Sequence, residues 1–195
     1  MIIGITGGSG SGKTTLLQLI ASCGGLVLDC DAIYHELLAS DASMLAAIGN
    51  RFPGTVENGT LNRKQLGNVV FADPSALQDL NRITHSAVRQ EVLRRLEAAP
   101  DLAAIDAIGL FEGGLAELCD ITVAVVAPEK DRIARLMQRD GITEEYARSR
   151  IRAQHDETWF REKCDYVLVN DGKLDAFATN CLAFLNRFVI MKENL

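Results

Sequence analysis

The feature that most constrains the fold of this chain is an octapeptide near its start, which reads GGSGSGKT from Gly7 to Thr14. It matches the pattern G-x-x-x-x-G-K-[ST], in which the backbone N–H groups of a glycine-rich turn surround phosphate oxygens. Residues 1–6 ahead of it form a short, apolar and β-branched run, and residues 14–21 behind it combine helix formers with apolar spacing. The motif requires this strand–loop–helix context.

Each part of this phosphate-binding loop, or P-loop, has a chemical role. Glycines adopt positive φ and lack a Cβ, and a helix that begins near Lys13 directs its positive end at a bound anion. The Lys13 ammonium can reach the β- and γ-phosphates, and the Thr14 hydroxyl can ligate Mg²⁺. We therefore predict a nucleoside triphosphate site. Its predicted loop residues are Gly8, Ser9, Gly10, Ser11, Gly12, Lys13, Thr14 and Thr15.

Size and charge restrict the class of protein. The chain has 195 residues, of which 48% are hydrophobic, and this predicts one globular domain with a substantial core. A net charge of −6 argues against a general nucleic-acid binder. Basic side chains are nevertheless concentrated in one segment, since nine of the 20 Lys and Arg residues lie between Lys130 and Lys163. Such a segment in an acidic protein suggests a site for a small polyanion.

The cysteines and the hydropathy pattern indicate a cytoplasmic protein. The five cysteines are scattered and include no C-x-x-C pair, so neither a disulfide framework nor a zinc site is predicted. Reduced thiols are typical of the cytosol. No apolar run approaches the length of a membrane span, and the first residues lack the charged region of a signal peptide. We expect no membrane association.

Apolar runs between turn signals predict an α/β protein. The predicted strands cover residues 1–6, 26–29, a part of 102–110, 121–127 and 166–169. The predicted helices cover residues 14–21, 31–50, 63–71, 74–98, a segment from 128 to beyond 154 with a break at Gly141, and 174–191, and residues 51–62 form a loop. Because the strands are apolar throughout, both faces of the sheet should be covered. We predict a parallel five-stranded sheet in a three-layer α/β/α sandwich.

Two aspartates stand out at predicted strand ends. Asp31 follows the second strand, at the carboxyl edge where α/β proteins bind ligands, although an aspartate there can also cap the helix over 32–40. Asp29 points to the same side if the chain is extended, with a structural role or a role beside Mg²⁺-bound water. Asp106 lies in an apolar strand, where a carboxylate needs compensation. A metal ion held through water, a hydrogen bond to Thr14, or a strand-end cap would each provide it.

The P-loop alone does not separate a GTPase from an ATPase or a small-molecule kinase, although no Asn-Lys-x-Asp guanine-reading segment is present. Further segments narrow the choice. They are D-x-D at Asp29–Asp31, V-F-x-D-P at Val70–Pro74, a partial H-P-x-[IV]-R at His85–Arg89, L-F-E at Leu110–Glu112, R-x-x-x-R-[DG] at Arg135–Asp140, E-x-A-x-x-R-I-x-x-Q at Glu145–Gln154, and N-x-G at Asn170–Gly172. Together with the loop, these segments resemble the dephospho-CoA kinase family over residues 1–172.

This resemblance implies transfer of a phosphoryl group from ATP, with Mg²⁺, to the ribose 3′-hydroxyl of dephospho-CoA, the last step of CoA synthesis. It implies that Asp31 orients or deprotonates this hydroxyl. The implied catalytic residues are Asp31, Lys13 and Arg139. Beyond the P-loop, the implied nucleotide contacts are Arg139, Arg150, Asn170 and Gly172. The implied acceptor contacts are Asp31, Arg63, His85, Arg89 and Glu112. The implied metal residues are Thr14 and Asp106. No protein partner is implied.

The resemblance also implies a division of the single domain. The core would comprise about residues 1–30, 101–128 and 164–195, the helical acceptor-binding segment residues 31–100, and the lid residues 129–163. Two positions depart from the family pattern, because Ser86 replaces a proline and Ile108-Gly109 replaces a proline–leucine pair. Both would alter the local backbone and the fit of the acceptor more than the phosphoryl chemistry.

Several simpler interpretations remain open. His85 shares a helical stripe with Val88 and Val92, which is typical of a core histidine, and Arg89 lies one turn further along. The basic lid residues could form a solvated helix face, as the i, i+4 pair of Glu144 and Arg148 does. A plain turn also explains Asn170 to Gly172. As a whole, the chain could instead be a kinase of a nucleoside or nucleotide, or a nucleotide sensor without kinase activity.

Overall fold

The computed structural model describes residues 1–189, and its main element is a parallel sheet. The strands are β1 (Ile2–Thr6), β2 (Leu26–Asp29), β3 (Val56–Glu57), β4 (Thr60–Leu61), β5 (Ala103–Asp106), β6 (Ile121–Val126) and β7 (Tyr166–Val169). Five of them form one sheet in the order β2-β5-β1-β6-β7, with every neighbouring pair parallel. The predicted five-stranded parallel sheet is therefore confirmed.

Helices cover both faces of this sheet. They are α1 (Lys13–Ser22), α2 (Cys30–Ser40), α3 (Ala42–Arg51), α4 (Arg63–Val70), α5 (Pro74–Leu96), α6 (Glu129–Asp140), α7 (Glu144–Arg152), α8 (Glu157–Lys163) and α9 (Leu174–Val189). On one face, Ile3 and Ile5 of β1 pack with α1 and α9; on the other, Ile105 of β5 packs with α2 and α5. The three-layer α/β/α sandwich follows from these two cores. The predicted end of the last helix near Met191 lies outside the described residues.

The segment between the second strand and residue 62 differs from its prediction. Residues 31–50 do not form one helix, because Asp41 separates α2 from α3. Its carboxylate accepts hydrogen bonds from the N–H groups of Ser43 (2.8 Å) and Met44 (3.1 Å), so it caps α3. The predicted loop contains a short hairpin of β3 and β4, whose turn residues Asn58 and Gly59 both have positive φ.

The helix boundaries that follow local signals agree better with the prediction. Asn62 caps α4, with Oδ1 accepting from the N–H of Gln65 at 3.1 Å, and Pro74 occupies the first turn of α5. Gly141 ends α6 at φ 64°, where the break was predicted. The helix α8 was not predicted as a separate element; Asp156 caps it by accepting from the N–H of Trp159 at 2.9 Å.

All five cysteines are free thiols, as predicted. Within residues 1–189, no helix is both long and apolar enough to cross a membrane.

Candidate active site

The P-loop connects β1 to α1 at the carboxyl edge of the sheet. At Gly10 its backbone lies so close to α6 that no side chain fits. Gly10 has φ 78°, and a Cβ built there would lie 2.7 Å from the carbonyl oxygen of Arg132. A glycine is therefore required at this position both for the backbone conformation and for the contact with α6.

A cleft of about 670 Å³, called here the phosphate cleft, opens over this loop. It brings together most of the predicted donor-side residues from four separate parts of the chain. The cleft is lined by Gly8, Ser9, Gly10, Ser11, Gly12, Lys13, Thr14, Asp29, Asp31, Asp106, Ala107, Ile108, Arg135, Gln138, Arg139 and Arg150. Thr15 does not line it, because this residue lies half-buried in the first turn of α1.

Lys13 lies between the P-loop and the end of β5. Its ammonium donates a hydrogen bond to the carbonyl oxygen of Gly7 at 3.0 Å and lies 3.9 Å from Oδ1 of Asp106. Both side chains are largely buried, at 15% and 18% exposure. This arrangement holds the positive charge at the floor of the cleft, where phosphate oxygens would be within its reach.

Asp106 is the most perturbed acid of the cleft. Burial raises its pKa to about 6; Lys13 opposes this shift, and the neighbouring charges of Asp29 and Asp31 add to it. Its buried Oδ1 has no hydrogen-bond donor within residues 1–189. The hydrogen bond to Thr14 that the sequence suggested is not formed. Oδ1 is thus buried beside Lys13 without a hydrogen bond, and because Asp106 lines the cleft, its carboxylate is suited to a cation or its bound water.

The two aspartates after β2 have different roles. Oδ1 of Asp29 accepts hydrogen bonds from the N–H groups of Asp31 (2.9 Å) and Ala32 (3.0 Å), so Asp29 is the N-cap of α2. The alternative in which Asp31 caps this helix is therefore wrong. Because Asp29 caps the helix, the carboxylate of Asp31 can face the cleft.

A second cavity of about 280 Å³ adjoins the phosphate cleft, and Asp31, Ala107 and Ile108 line both. Most of its wall is apolar and comes from α2, α5 and the loop after β5. The remaining lining residues are Cys30, Tyr34, Leu80, Asn81, Thr84, His85, Val88, Gly109, Gly113 and Leu115. His85 is half-buried and faces this space, whereas Val88 is buried and Val92 belongs to the core. The interpretation of His85 as a packed core residue is therefore wrong.

Two other predicted acceptor residues lie outside the lining of the second cavity. Arg89 is held away from it: Nε donates to the carbonyl oxygen of Gly114 at 3.2 Å, and Nη2 donates to Glu117 at 3.0 Å. Arg63 is exposed at the start of α4. Burial raises the pKa of Tyr34, a residue of the cavity wall, and the charge of Arg63 opposes this shift.

Glu112 faces a third cavity, of about 300 Å³, which shares Ile108 with the other two. Its Oε1 lies 2.7 Å from Nε2 of His155. The structure therefore places Glu112 beside the end of the lid rather than in the second cavity.

The lid arginines Arg139 and Arg150 reach the phosphate cleft from one side. Both bind the same carboxylate, with Nε of Arg139 at 2.6 Å and Nη1 of Arg150 at 2.7 Å from Asp140. The hydrogen bond from Arg139 contributes most to lowering the pKa of Asp140 to about 2. Arg148 instead forms the predicted exposed pair with Glu144 at 2.7 Å. The lid therefore contains both cleft-facing arginines and a solvated face.

Comparison with known proteins agrees with this geometry. The family model for dephospho-CoA kinase matches residues 1–176. The chain belongs to the dephospho-CoA kinase family. The dephospho-CoA kinase of Syntrophotalea carbinolica is 35% identical over 195 residues, covering 97% of this chain and 92% of that protein. The Corynebacterium diphtheriae dephospho-CoA kinase is 34% identical, covering 98% and 99%.

Solved structures support the same assignment. A crystal structure from Thermus thermophilus has a TM-score of 0.81 at 34% identity, covering 97% of this chain and 98% of that chain. The dephospho-CoA kinase from Campylobacter jejuni has a TM-score of 0.69 at 25% identity, covering 100% and 98%. A shikimate kinase from Acinetobacter baumannii, 18% identical with a TM-score of 0.56, shares the fold.

In this dephospho-CoA kinase family member, the sequence did not reveal which lid residues hold the P-loop. Nε of Arg132 donates to the carbonyl oxygen of Ser9 at 3.0 Å, and Nη1 of Arg135 donates to those of Gly10 (3.1 Å) and Ser11 (3.2 Å). Arg135 begins one of the family segments, but its spacing gives no indication of these contacts. Arg132 has no sequence signal beyond its charge.

Asn170 also supports the loop from behind. Its Nδ2 donates to the carbonyl oxygen of Ser11 at 2.8 Å, and the side chain is buried. Gly172 lies exposed in the loop after β7, and a Cβ built there would have no other atom within 4 Å. Neither residue lines the phosphate cleft, so a direct nucleotide contact of either one stays a prediction.

Proposed function

We propose that this chain transfers the γ-phosphoryl group of ATP to the ribose 3′-hydroxyl of dephospho-CoA, giving CoA and ADP. The proposal rests above all on the position of Asp31, which lines both the phosphate cleft and the adjoining second cavity. A phosphoryl transfer needs one group at the boundary between donor and acceptor to position the attacking hydroxyl. Membership of the dephospho-CoA kinase family supports the identity of the acceptor.

On the donor side, the P-loop amides and Lys13 bind the phosphates, and Arg139 and Arg150 neutralise the charge of the transferring group. Arg135 anchors the loop and lines the same cleft. Phosphoryl transfer involves little covalent chemistry by the protein, so these positioned charges would account for most of the catalysis.

Thr14 and Asp106 are the residues that would hold Mg²⁺. Both line the phosphate cleft, and Oδ1 of Asp106 has no hydrogen-bond donor within residues 1–189, so this carboxylate fits a cation or its bound water. When bound, Mg²⁺ neutralises charge on the β- and γ-phosphates. Thr14 and Asp106 would supply at most two protein oxygens, and phosphate and water would supply the other ligands.

On the acceptor side, Asp31 orients or deprotonates the 3′-hydroxyl, and His85 forms part of the wall of the acceptor pocket. Arg63, Arg89 and Glu112 lie around this region and would bind polar groups of dephospho-CoA. The lid, residues 129–163, would exclude water that otherwise hydrolyses ATP. We place the reaction in the cytoplasm, where the five free thiols stay reduced.

The decisive experiment measures ADP release from ATP and Mg²⁺ with and without dephospho-CoA, for the wild type and for Asp31→Ala. We expect dephospho-CoA-dependent turnover that yields CoA and falls by about 10²-fold or more in the variant, because the nucleophile is no longer positioned. Arg161→Ala is the control, since it removes only an exposed ion pair on α8. ATP binding without acceptor-dependent turnover would contradict the proposal and would direct the search to nucleosides and other acceptors.

A further inference from the structure

The connection between α7 and α8 contacts both the donor and the acceptor sides of the site. Residues 154–159, called here the 154–159 segment, begin at the end of α7 and continue into α8. Gln154 contacts the P-loop, and the next residue, His155, contacts the loop after β5. Two adjacent residues therefore connect the two loops that flank the reacting groups.

The Gln154 side chain uses both ends of its amide to hold Ser9. Its Oε1 accepts from the N–H of Ser9 at 2.9 Å, and its Nε2 donates to Oγ of Ser9 at 2.7 Å. Nη2 of Arg132 donates to the same Oε1 at 2.9 Å. The side chain therefore binds one residue of the P-loop in two places and is itself fixed by a third group.

The imidazole ring of His155 is fixed by packing against aromatic side chains. Its ring is stacked on the indole of Trp159, with centroids 3.7 Å apart and planes inclined by 3°. Trp159 in turn meets the ring of Phe111 edge-on at 5.4 Å. This packing fixes the imidazole so that Nε2 reaches Oε1 of Glu112 at 2.7 Å.

Folding stability does not account for this arrangement. The side chains of His155 and Glu112 are 46% and 42% exposed, and exposed pairs of this kind contribute little to stability. Their position is more informative. Both residues line the third cavity with Gln154, and this cavity meets the phosphate cleft and the second cavity at Ile108.

We propose that His155 is a positioning residue for the acceptor. It holds the Glu112 carboxylate at the third cavity, where this carboxylate accepts hydrogen bonds from N–H or O–H groups of dephospho-CoA. Through its covalent neighbour Gln154, it also ties the placement of Glu112 to that of the P-loop. The inference rests on the proposed function, because it assumes dephospho-CoA as the acceptor.

The test is steady-state kinetics with each substrate varied, for His155→Ala, Glu112→Ala, the double variant and His155→Gln. We expect each alanine variant to raise the KM for dephospho-CoA about tenfold and to change the KM for ATP less than about twofold. Because both alanine variants remove the same interaction, between His155 and Glu112, the double variant should have about the same KM for dephospho-CoA as each single variant. His155→Gln should restore most of the loss, since its amide N–H can still donate to Glu112.

The outcomes separate this inference from the proposed function. Three results would overturn the inference alone. They are an unchanged KM for dephospho-CoA in His155→Ala, a rise in the KM for ATP equal to that for dephospho-CoA, and single-variant effects that multiply in the double variant. Arg161→Ala is the matched control on the same helix, and equal melting temperatures exclude unfolding as the cause. Absence of dephospho-CoA turnover in the wild type would overturn the proposed function, and this inference with it.

Discussion

At the scale of single residues, Asp106 links the stability of the chain to the chemistry of the cleft. Its side chain is only 18% exposed, and burial raises its pKa to about 6. Lys13 at 3.9 Å compensates the negative charge only in part, because the buried Oδ1 has no donor within the described part of the chain. The carboxylate therefore destabilises the protein when it is ionised, and a cation from the nucleotide complex would relieve this cost.

We predict that Asp106→Asn stabilises the protein at neutral pH while it impairs catalysis. The folded wild type keeps this proton up to pH about 6, whereas the unfolded chain releases it near 3.8, so wild-type stability falls as the pH rises between these values. The variant lacks this loss and should gain about 1–3 kcal/mol at pH 7.5 and nothing at pH 3.5, in urea titrations without nucleotide. Asp101→Asn, on an exposed loop, is the control.

Loss of stability in Asp106→Asn at pH 7.5 would contradict this explanation, because it would mean that the ion pair with Lys13 outweighs the cost of burial. The turnover number of the variant with saturating Mg²⁺ and ATP should fall by about 10²-fold if Asp106 helps to hold the metal. The two measurements are independent, so a stable but fully active variant would exclude the metal role alone.

At the scale of elements, the start of α6 and the P-loop form one packed unit. Arg132 and Arg135 donate to three carbonyl oxygens of the loop. Gln154, which follows α7 in the chain, accepts a hydrogen bond from a loop N–H group. The N–H groups of Ser9 and Ser11 are bonded to Gln154 and to the carbonyl oxygen of Gly8, so the remaining N–H groups of the loop are those that can face the cleft. The lid helices thus shape the donor site even before any contact with phosphate.

This packing predicts different effects of alanine substitution at two glycines. Gly10 lies against the start of α6, and Gly141 ends this helix. Gly10→Ala should raise the KM for ATP more than about tenfold, because its Cβ would lie 2.7 Å from the backbone oxygen of Arg132 at φ 78°. Gly141→Ala has a similar φ of 64° but open space around it, so it should cost only about 1 kcal/mol of stability and leave ATP binding unchanged. Equal effects on the KM for ATP would show that backbone conformation, rather than contact with α6, limits Gly10.

At the scale of the whole molecule, the order of the strands brings the residues of the site together. With β1 at the centre, the ends of β1, β2 and β5 lie side by side, and Asp29 and Asp106 are paired in register. The second cavity lies on the side covered by α2 and α5, next to Asp31. The phosphate cleft and the second cavity are thus attached to one sheet and share a wall.

Because Asp31 belongs to the proposed acceptor contacts and not to the proposed phosphate contacts, we predict that Asp31→Ala keeps its stabilisation by nucleotide. At a concentration of Mg²⁺ and ATP of about 100 times Kd, both proteins should gain about 2.7 kcal/mol, seen as equal shifts in melting temperature. Lys13→Ala should lose most of this shift, since its ammonium lies at the floor of the phosphate cleft and is proposed to bind the phosphates. A lost shift in Asp31→Ala would show that Asp31 serves nucleotide binding rather than the acceptor.

Much of the fold could be predicted from sequence because its signals are local. The P-loop, the cap at Asn62, Pro74 at a helix start and the stop at Gly141 act within a few residues, so each is readable from its neighbours. Where two local signals compete, the sequence left the outcome open. Asp29 and Asp31 can both cap α2, and only the backbone conformation of residue 29 decides in favour of the first.

The strand–loop–helix of the phosphate site, the parallel sheet and the family of the chain could be predicted from local patterns of residues. Three features became visible only in the folded protein: Arg135 holds Gly10 across 125 residues, Oδ1 of Asp106 has no hydrogen-bond donor within residues 1–189, and His155 meets Glu112. The difference is one of distance along the chain. Backbone preferences and capping depend on neighbours in the chain, whereas burial, pKa and side-chain partners depend on which distant segments the folded sheet brings together.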